Sequence, residues 1–371
     1  MGSTLGNFIG IQYQNQLLGI VAETPDLPPI LQLTKHQVLS LTGATLGGKS
    51  SNGKLQTGKN SSESGMLALM CAQSLIRCGG LDLKDWRDTW EAFAQSELDN
   101  SPNTEAKIVL HPCEAAVAAL PTAMFFHENK AKLREKLMLA TEVWHNESVS
   151  ECQMGVLALG YTIARSLKER LDPATAIPQT ITYLAIDNAL TELLSQVQIL
   201  LEQGADLERA TTHLCKSAMA LQERQIKDEK KSQTKSIVKP ENFIPMAIAF
   251  YCFLSTPEDL RLSVLRAARC GIAAPLTCSL TGALSGAYNG GAAIPVEWGS
   301  SHSAALKLRS AGEGQEPSVW STGSDVKIKK LASNLFAVWT GVYSQDSEQE
   351  SSVMSPVVAA PYVIRVAKKA E

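Results

Sequence analysis

The sequence of 371 residues lacks a large excess of charge of either sign, because 34 lysines and arginines face 37 aspartates and glutamates, for a net charge of -3. This balance excludes the strongly basic proteins that bind nucleic acids, and it supplies no attraction to an acidic membrane surface. The hydrophobic share of 44% is ordinary for a globular protein. We therefore expect neither a nucleic-acid partner nor a membrane partner.

Paired metal-ligand and disulfide patterns are also missing. The eight cysteines form no C-x-x-C pair, and the six histidines show neither H-x-x-x-H nor H-E-x-x-H spacing. This scatter argues against a zinc site and against a disulfide framework. The N-terminal stretch has no basic region and no clear cleavage site, so a signal peptide is not expected. Together these features predict a cytoplasmic protein with reduced thiols.

Strand signals are scarce, whereas helical periodicity runs along most of the chain. In residues 81–93, for example, the apolar side chains recur at helical spacing, which predicts a core-facing helix. Gly79 and Gly80 predict the end of the helix before it. Residues 255–257 predict a break between two helices, with Pro257 in the first turn of the second. The sequence therefore predicts an all-α fold, a compact multi-helix orthogonal bundle in one domain over residues 1–343. The charged segment 223–239 predicts a solvated loop. A change of composition at Ser344 predicts that the tail, residues 344–371, is partly disordered.

One segment, "CGIAAPLTCSLTGALSGAYNGGAAIPVEW", carries no charge from Cys270 to Val296. It is built from glycine, alanine, serine and threonine, and this low net hydrophobicity argues against a membrane span. A helix without charge on any side is expected to be buried inside a globular protein. Its glycines at four-residue spacing predict a face that another backbone or a ligand can approach closely, and these are Gly282, Gly286 and Gly290.

A second motif, "GATLGGKS" at Gly43–Ser50, matches the phosphate-binding pattern G-x-x-x-x-G-K-[ST], with Lys49 placed for phosphates. An apolar run ending at Asp187 could supply the acidic partner at the end of a strand, but a helical pattern follows it, and a helix through the run is the alternative. The residues after Ser50 are rich in glycine and asparagine, where such a loop needs the start of a helix. A glycine- and serine-rich loop is the commoner interpretation, and P-loop nucleotide binding stays an alternative.

Several segments resemble the ADP-ribosylglycohydrolase family. The stretch "TGALSGAYNGGAAIPVEW" is similar to the family's "GALAGAYYG" helix and to the "IP" and tryptophan that follow it. "GNFIGIQYQNQLLG" resembles the family's opening "GALLGLAxGDALG", and "SESGMLALMCAQSLIRCGGLD" resembles "TDDTxMALxLAESLIxxGGxD". The similarity in pattern runs from Gly6 to Gly341 and is most specific over residues 282–298.

The resemblance implies an all-α fold whose cleft holds two divalent metal ions and cleaves the N- or O-glycosidic bond of ADP-ribose. In the family, the metal ligands come from the "TDDT" turn, from an N-terminal Gly-Asp pair and from a "GDxDT" turn. Hard divalent ions require oxygen ligands, several of them carboxylates, to offset the loss of their hydration shell. The activity therefore depends on the residues at these positions.

The sequence departs from the family at nearly all of them. Ala273, Pro275 and Leu276 stand where the family has Asp, Asp and Thr, and no side chain of this kind can bind a metal ion. At the other positions, the "TDDT" turn is replaced by Ser62, Glu63, Ser64 and Gly65, and the Gly-Asp pair is replaced by Gln14 and Asn15. Ala118, within Ala115–Pro121, replaces the arginine of "AMRxxP". One carboxylate remains where a dinuclear site needs several.

These replacements predict a catalytically inactive member of the family, a pseudoenzyme that acts as a binding or regulatory scaffold. Its ligand would be ADP-ribose or another nucleotide-like molecule, with no cofactor and no bound metal. The candidate cleft residues are Asn15, Ser62, Glu63, Ser64, Gly282 and Gly286, and no residue is assigned to catalysis beyond Glu63 as the residual acid. The alternative is an active, magnesium-dependent hydrolase with a site rebuilt around Glu63.

Overall fold

The computed structural model describes residues 60–97, 110–143, 149–232, 239–295 and 324–341. These residues form 13 α-helices and contain no strand, which confirms the predicted all-α class. In chain order the helices are α1 (Asn60–Cys78), α2 (Leu83–Glu97), α3 (Pro112–Ala118), α4 (Leu120–Phe125), α5 (Lys130–Ala140), α6 (Val149–Leu167), α7 (Ala176–Leu184), α8 (Ala189–Glu202), α9 (Leu207–Ser232), α10 (Ile244–Ser255), α11 (Leu260–Cys270), α12 (Ala274–Asn289) and α13 (Ser324–Thr340), with 3-10 turns at Pro240–Phe243 and Gly291–Ala293. The predicted tail, 344–371, lies outside the described residues.

Three helices form the centre of the bundle. Helix α10 is buried over ten consecutive residues, Pro245–Leu254, because its sequence is apolar on every side. Helix α6 packs against α3, α4, α5, α7 and α12, and helix α12 packs against α3, α6, α10 and α11. Residues 277–285 of the uncharged segment thus lie in the core of the fold, whereas residues 286–295 are half-buried or exposed.

The first two helices form a tight pair, as their apolar spacing predicts. The indole N–H of Trp86 in α2 donates to the carbonyl oxygen of Leu67 in α1 at 3.1 Å, and both residues are fully buried. At the turn between the helices, the guanidinium of Arg77 donates to both carboxylate oxygens of Asp85, at 3.0 and 2.6 Å. Gly79, with φ of 65°, ends α1 where the sequence predicts a stop.

Helix α6 approaches its neighbours closely at two glycines. A Cβ atom added to Gly155 would lie 2.6 Å from the carbonyl oxygen of Pro112, which begins α3. A Cβ atom added to Gly160 would lie 2.5 Å from a methyl carbon of Leu137 in α5. Both positions therefore require glycine for the observed packing of α6.

The break between α10 and α11 is confirmed, but its detail differs from the prediction. Pro257 was expected in the first turn of the second helix, whereas α11 begins at Leu260. The reason is that Asp259 serves as the N-cap, since its carboxylate accepts the backbone N–H of Leu262 at 2.8 Å. Pro257 instead lies in the connecting turn.

The predicted loop at residues 223–239 is wrong for residues 223–232, because α9 continues through Ser232. Its charges alternate in sign, and Glu223 precedes Lys227 by four residues, the spacing that stabilises a helix. The run is also rich in glutamate, glutamine, lysine and arginine, which favour helices. Residues 233–238 lie outside the described part of the chain.

All eight cysteines are free thiols, and five of them are buried. Burial raises the pKa of Cys71 to about 12, and it raises the pKa of the Cys113 and Cys278 thiols as well. Within the part of the chain that the structure describes, no helix has both the length and the apolar character needed to span a membrane.

Candidate functional site

The start of α12 is the position to which the resemblance assigns the family's "GDxDT" metal ligands. Ala273, the N-cap, adopts the left-handed conformation with φ of 41° and ψ of 47°, and no side chain caps the helix. Pro275 follows within the first turn, and Leu276 packs against the hydrophobic core. The turn therefore presents three apolar side chains and no oxygen ligand.

The hydroxyl groups further along α12 are turned back onto its own backbone. Thr277 donates to the carbonyl oxygen of Ile272 at 2.7 Å, and Thr281 donates to that of Thr277 at 2.8 Å. Both threonines are completely buried. At the far end, the amide of Asn289 donates to the Ser285 carbonyl oxygen at 3.0 Å. These polar groups hold the helix and its neighbours rather than face an open cleft.

The three glycines of α12 occupy different environments. Gly282 is buried, Gly286 is half-buried, and Gly290 is exposed at the end of the helix. Gly290 is the C-cap, with φ of 75° and ψ of 179°, and its N–H donates to the Gly286 carbonyl oxygen at 3.0 Å. Gly282 and Gly286 lie four residues apart within the helix, whereas Gly290 ends the helix instead of continuing it.

The start of α1 carries the counterpart of the "TDDT" turn. Helix α1 begins at Asn60, so Ser62, Glu63 and Ser64 lie in its first turns. Ser64 is buried, whereas the side chains of Ser62 and Glu63 lie outside the described residues. Asn15 and the Gly43–Ser50 motif lie outside them too. The structure thus locates two of the candidate segments, the starts of α1 and α12.

Helix α3 packs against both of these helices, α1 and α12. Ala118, which replaces the arginine of the family pattern, belongs to α3 and is 0% exposed. All seven residues of α3 are buried. The position that the resemblance aligns with the family's arginine is therefore filled by a methyl group in the core.

The acidic partner proposed for the phosphate-binding motif is not at the end of a strand. The apolar run before Asp187 forms helix α7, and Ala185 ends it in the left-handed conformation with φ of 59°. Asp187 itself is exposed in the connection between α7 and α8. Of the two alternatives for this run, the helix is the one that forms, and it packs against α6 and α8.

Two buried carboxylates were missed by the sequence reasoning. Glu114 in α3 accepts the backbone N–H of His111 at 3.0 Å, within a capping box at the start of that helix. Glu151 lies in the first turn of α6 and is 3% exposed. Burial raises the pKa of Glu151, while Asn242, the N–H and charge of Lys239 and His111 act in the opposite direction. An acid in a first helical turn is common on protein surfaces, so the pattern gave no sign of burial.

The family's two divalent ions do not fit the side chains at the start of α12. Alanine, proline and leucine offer no oxygen that a hard cation accepts. Within the described ranges, no three histidine, cysteine, aspartate or glutamate side chains come together as a metal site. No chemical step through a metal ion can be derived from these residues.

Comparison with models of known protein families identifies the family of this chain. The sequence model of the ADP-ribosylglycohydrolase family matches residues 1–335. The chain belongs to the ADP-ribosylglycohydrolase family. The match includes the starts of α1 and α12 and most of α13, so the replaced ligand positions fall inside the region of family similarity. No curated protein matches the chain significantly.

In this member of the ADP-ribosylglycohydrolase family, the described residues combine an all-α helical bundle with an apolar turn at the start of α12. Helix α12 keeps the small residues that the resemblance placed on a cleft wall, and it packs between α6, α10 and α11. What the family membership establishes is ancestry and fold. Catalytic activity depends on the side chains that the chain carries at the site.

Proposed function

We propose that this member of the ADP-ribosylglycohydrolase family is catalytically inactive and acts as a binding or regulatory scaffold in the cytoplasm. The observation that carries the proposal is the turn Ala273–Leu276, where apolar side chains stand at the family's metal-ligand positions. Two dications cannot be held without several anionic oxygens, and without them the attacking water and the sugar are not activated.

The conformation of this turn supports the proposal further. Leu276 packs against the core, and Thr277 directs its hydroxyl to the Ile272 carbonyl oxygen, so the turn is stabilised by burial and by its own hydrogen bonds. A turn built in this way does not depend on a metal ion to fold. The free thiols support the proposed cytoplasmic location, because disulfides persist mainly in oxidising compartments.

The ligand we propose for the scaffold is ADP-ribose or a related nucleotide, bound without cleavage. It rests on the small residues Gly282 and Gly286, which are shared with the family's cleft helix. Binding of such a ligand would not depend on magnesium, because the carboxylates that couple metal and ligand binding in the family are replaced.

The test is calorimetric titration of ADP-ribose into the purified full chain, with and without magnesium, together with hydrolysis assays on ADP-ribosylated substrates. We expect no hydrolysis and a dissociation constant that magnesium changes by less than about twofold. Hydrolysis by the natural chain that is lost in Glu63→Ala would overturn the proposal and establish the rebuilt-site hydrolase. If no heat of ADP-ribose binding is measured, the scaffold would bind protein partners only.

A restored variant sharpens this test. Ala273→Asp, Pro275→Asp and Leu276→Thr together return the family's ligand types to the start of α12. We expect this triple variant to gain magnesium-dependent heat, with Ala273→Asn, Pro275→Asn and Leu276→Thr as the uncharged control. A natural chain that already binds magnesium as tightly as the restored variant would show that other residues supply the site.

A further inference from the structure

Glu151 ties the start of α6 to a segment 88 positions later in the chain. Its Oε1 atom accepts the backbone N–H of Lys239 at 3.1 Å. Its Oε2 atom is closed off from solvent and has no hydrogen-bond partner. Ionisation of a carboxyl group in this position is unfavourable, because the buried Oε2 atom has lost its contact with water.

The segment that Glu151 holds leads into the central helix. Residues 239–243 form the 3-10 turn before α10 and pack against α3, α8, α9 and α10. A second contact fastens the same segment, because the Cys113 thiol in α3 donates to the Asn242 carbonyl oxygen at 3.1 Å. The segment is therefore held at two points, by buried groups on α3 and α6.

The charged and polar groups around Glu151 act in opposite directions. Burial favours the neutral acid, whereas the Asn242 side chain, Lys239 and His111 favour the ionised form. Burial is the largest effect, so the pKa of Glu151 lies above its ordinary value. The other buried acid of this region, Glu114, is occupied by the backbone N–H of His111.

We propose that Glu151 is a proton-controlled latch, which holds residues 239–243 against α6 when its carboxyl is neutral and releases them when it ionises. In the neutral form, the sealed Oε2 carries no charge and Oε1 still accepts the Lys239 N–H. In the ionised form, opening of the segment lets the carboxylate reach water. Because the pKa is raised in the folded state, this contribution to stability is present at low pH and is lost as pH rises through the folded-state pKa.

The test is hydrogen exchange of the full chain as a function of pH, starting at pH 4.5, the ordinary value for the acid. After correction for the intrinsic exchange rate, protection of the Lys239 N–H should fall as pH rises, by up to about tenfold for each unit by which the pKa is raised. Glu151→Gln keeps an acceptor for that N–H but cannot ionise, so its protection should not change with pH. The matched control is Glu192→Gln, an exposed acid in the first turn of α8, which should retain the natural pH dependence.

An unchanged pH dependence in Glu151→Gln would overturn the proposal, as would protection in the natural chain that does not fall with pH. If the Glu151→Gln variant fails to fold, a second measurement tests the proposal. In the unaltered protein, the backbone amide resonance of Lys239 should titrate with a midpoint above pH 4.5. A midpoint at or below that value would show that the carboxyl is not held in its neutral form.

Discussion

Helices α6 and α12 both combine glycines with deep burial, but they use the glycines differently. In α6, the backbone or side chain of a neighbouring helix occupies the space that a Cβ atom would need at Gly155 and Gly160. In α12, Gly290 has no atom within 4 Å of that space and is required instead by its positive φ. The spacing of glycines in a sequence therefore does not distinguish close packing from backbone conformation.

The comparison also separates glycines that match the family pattern from glycines that the packing of this fold requires. The glycines of α12 belong to the part of the sequence most similar to the family, whereas those of α6 were not singled out by any motif. Yet an added Cβ atom would lie within 2.6 Å of a neighbouring helix at both Gly155 and Gly160, and at Gly155 the obstructing atom belongs to the backbone, the carbonyl oxygen of Pro112. Packing at α6 therefore predicts larger effects of substitution than the recognisable motif at α12.

The largest effect is expected for Gly155→Ala. The new Cβ atom would lie 2.6 Å from a backbone oxygen, so α3 and α6 must separate. We expect a loss of about 3 kcal/mol of unfolding free energy, measured by urea denaturation. The control is Gly160→Ala, which meets the flexible end of Leu137 and should cost about 1 kcal/mol. An equal or larger loss at Gly160 would contradict the role assigned to the backbone contact.

A smaller effect is expected for Gly290→Ala at the end of α12. With φ of 75° and ψ of 179°, this residue lies in a region that almost only glycine adopts. We expect a loss of about 2 kcal/mol although the surrounding space is open. Gly291→Ala, which also has open space but no positive φ, should change stability by less than about 0.5 kcal/mol. Similar losses in the two variants would show that the cost does not come from the backbone conformation.

The smallest effect, with the opposite sign, is expected for Ala273→Gly before α12. Ala273 adopts the left-handed conformation, which is unfavourable for a residue with a Cβ atom. Replacing Ala273 with glycine removes this conformational cost. Because glycine also makes the unfolded chain more flexible, the net gain in unfolding free energy should be about 0.5 kcal/mol. Ala287→Gly, inside the same helix, should lower it by about 1 kcal/mol. A loss of stability in both variants would sink the idea that the turn is strained.

Much of the helical architecture could be predicted from the sequence. The spacing of Trp86 and Trp90, the stop at Gly79 and the break after Ser255 all follow from apolar periodicity and from local capping. The charged half of α9 was predicted wrongly because charge was taken as a sign of a loop, although oppositely charged residues four apart stabilise a helix. The sequence left strand and helix open for the run before Asp187, and the structure shows a helix that packs against α6 and α8.

The candidate site could be predicted only in part. The absence of carboxylates at Ala273, Pro275 and Leu276 is visible in the sequence, and the structure adds the conformation of that turn. The burial of Glu151 could not be predicted, because an acid in a first helical turn is normally explained by the helix dipole. Its environment depends on Lys239, which is distant in sequence and reaches it only through the fold.

The last residue of α1, Cys78, is a position at which the protein can be labelled for spectroscopy. Cys78 is the one exposed cysteine among the eight, while the others are buried or half-buried. Thiol reagents need access to the sulfur, which burial denies to Cys71, whose pKa is raised to about 12. The pKa of Cys78 is also raised, by desolvation and by Asp85, but this residue is exposed. A fluorophore or spin label added at limiting concentration should therefore attach at Cys78, beside the junction of α1 and α2, without any cysteine having to be engineered.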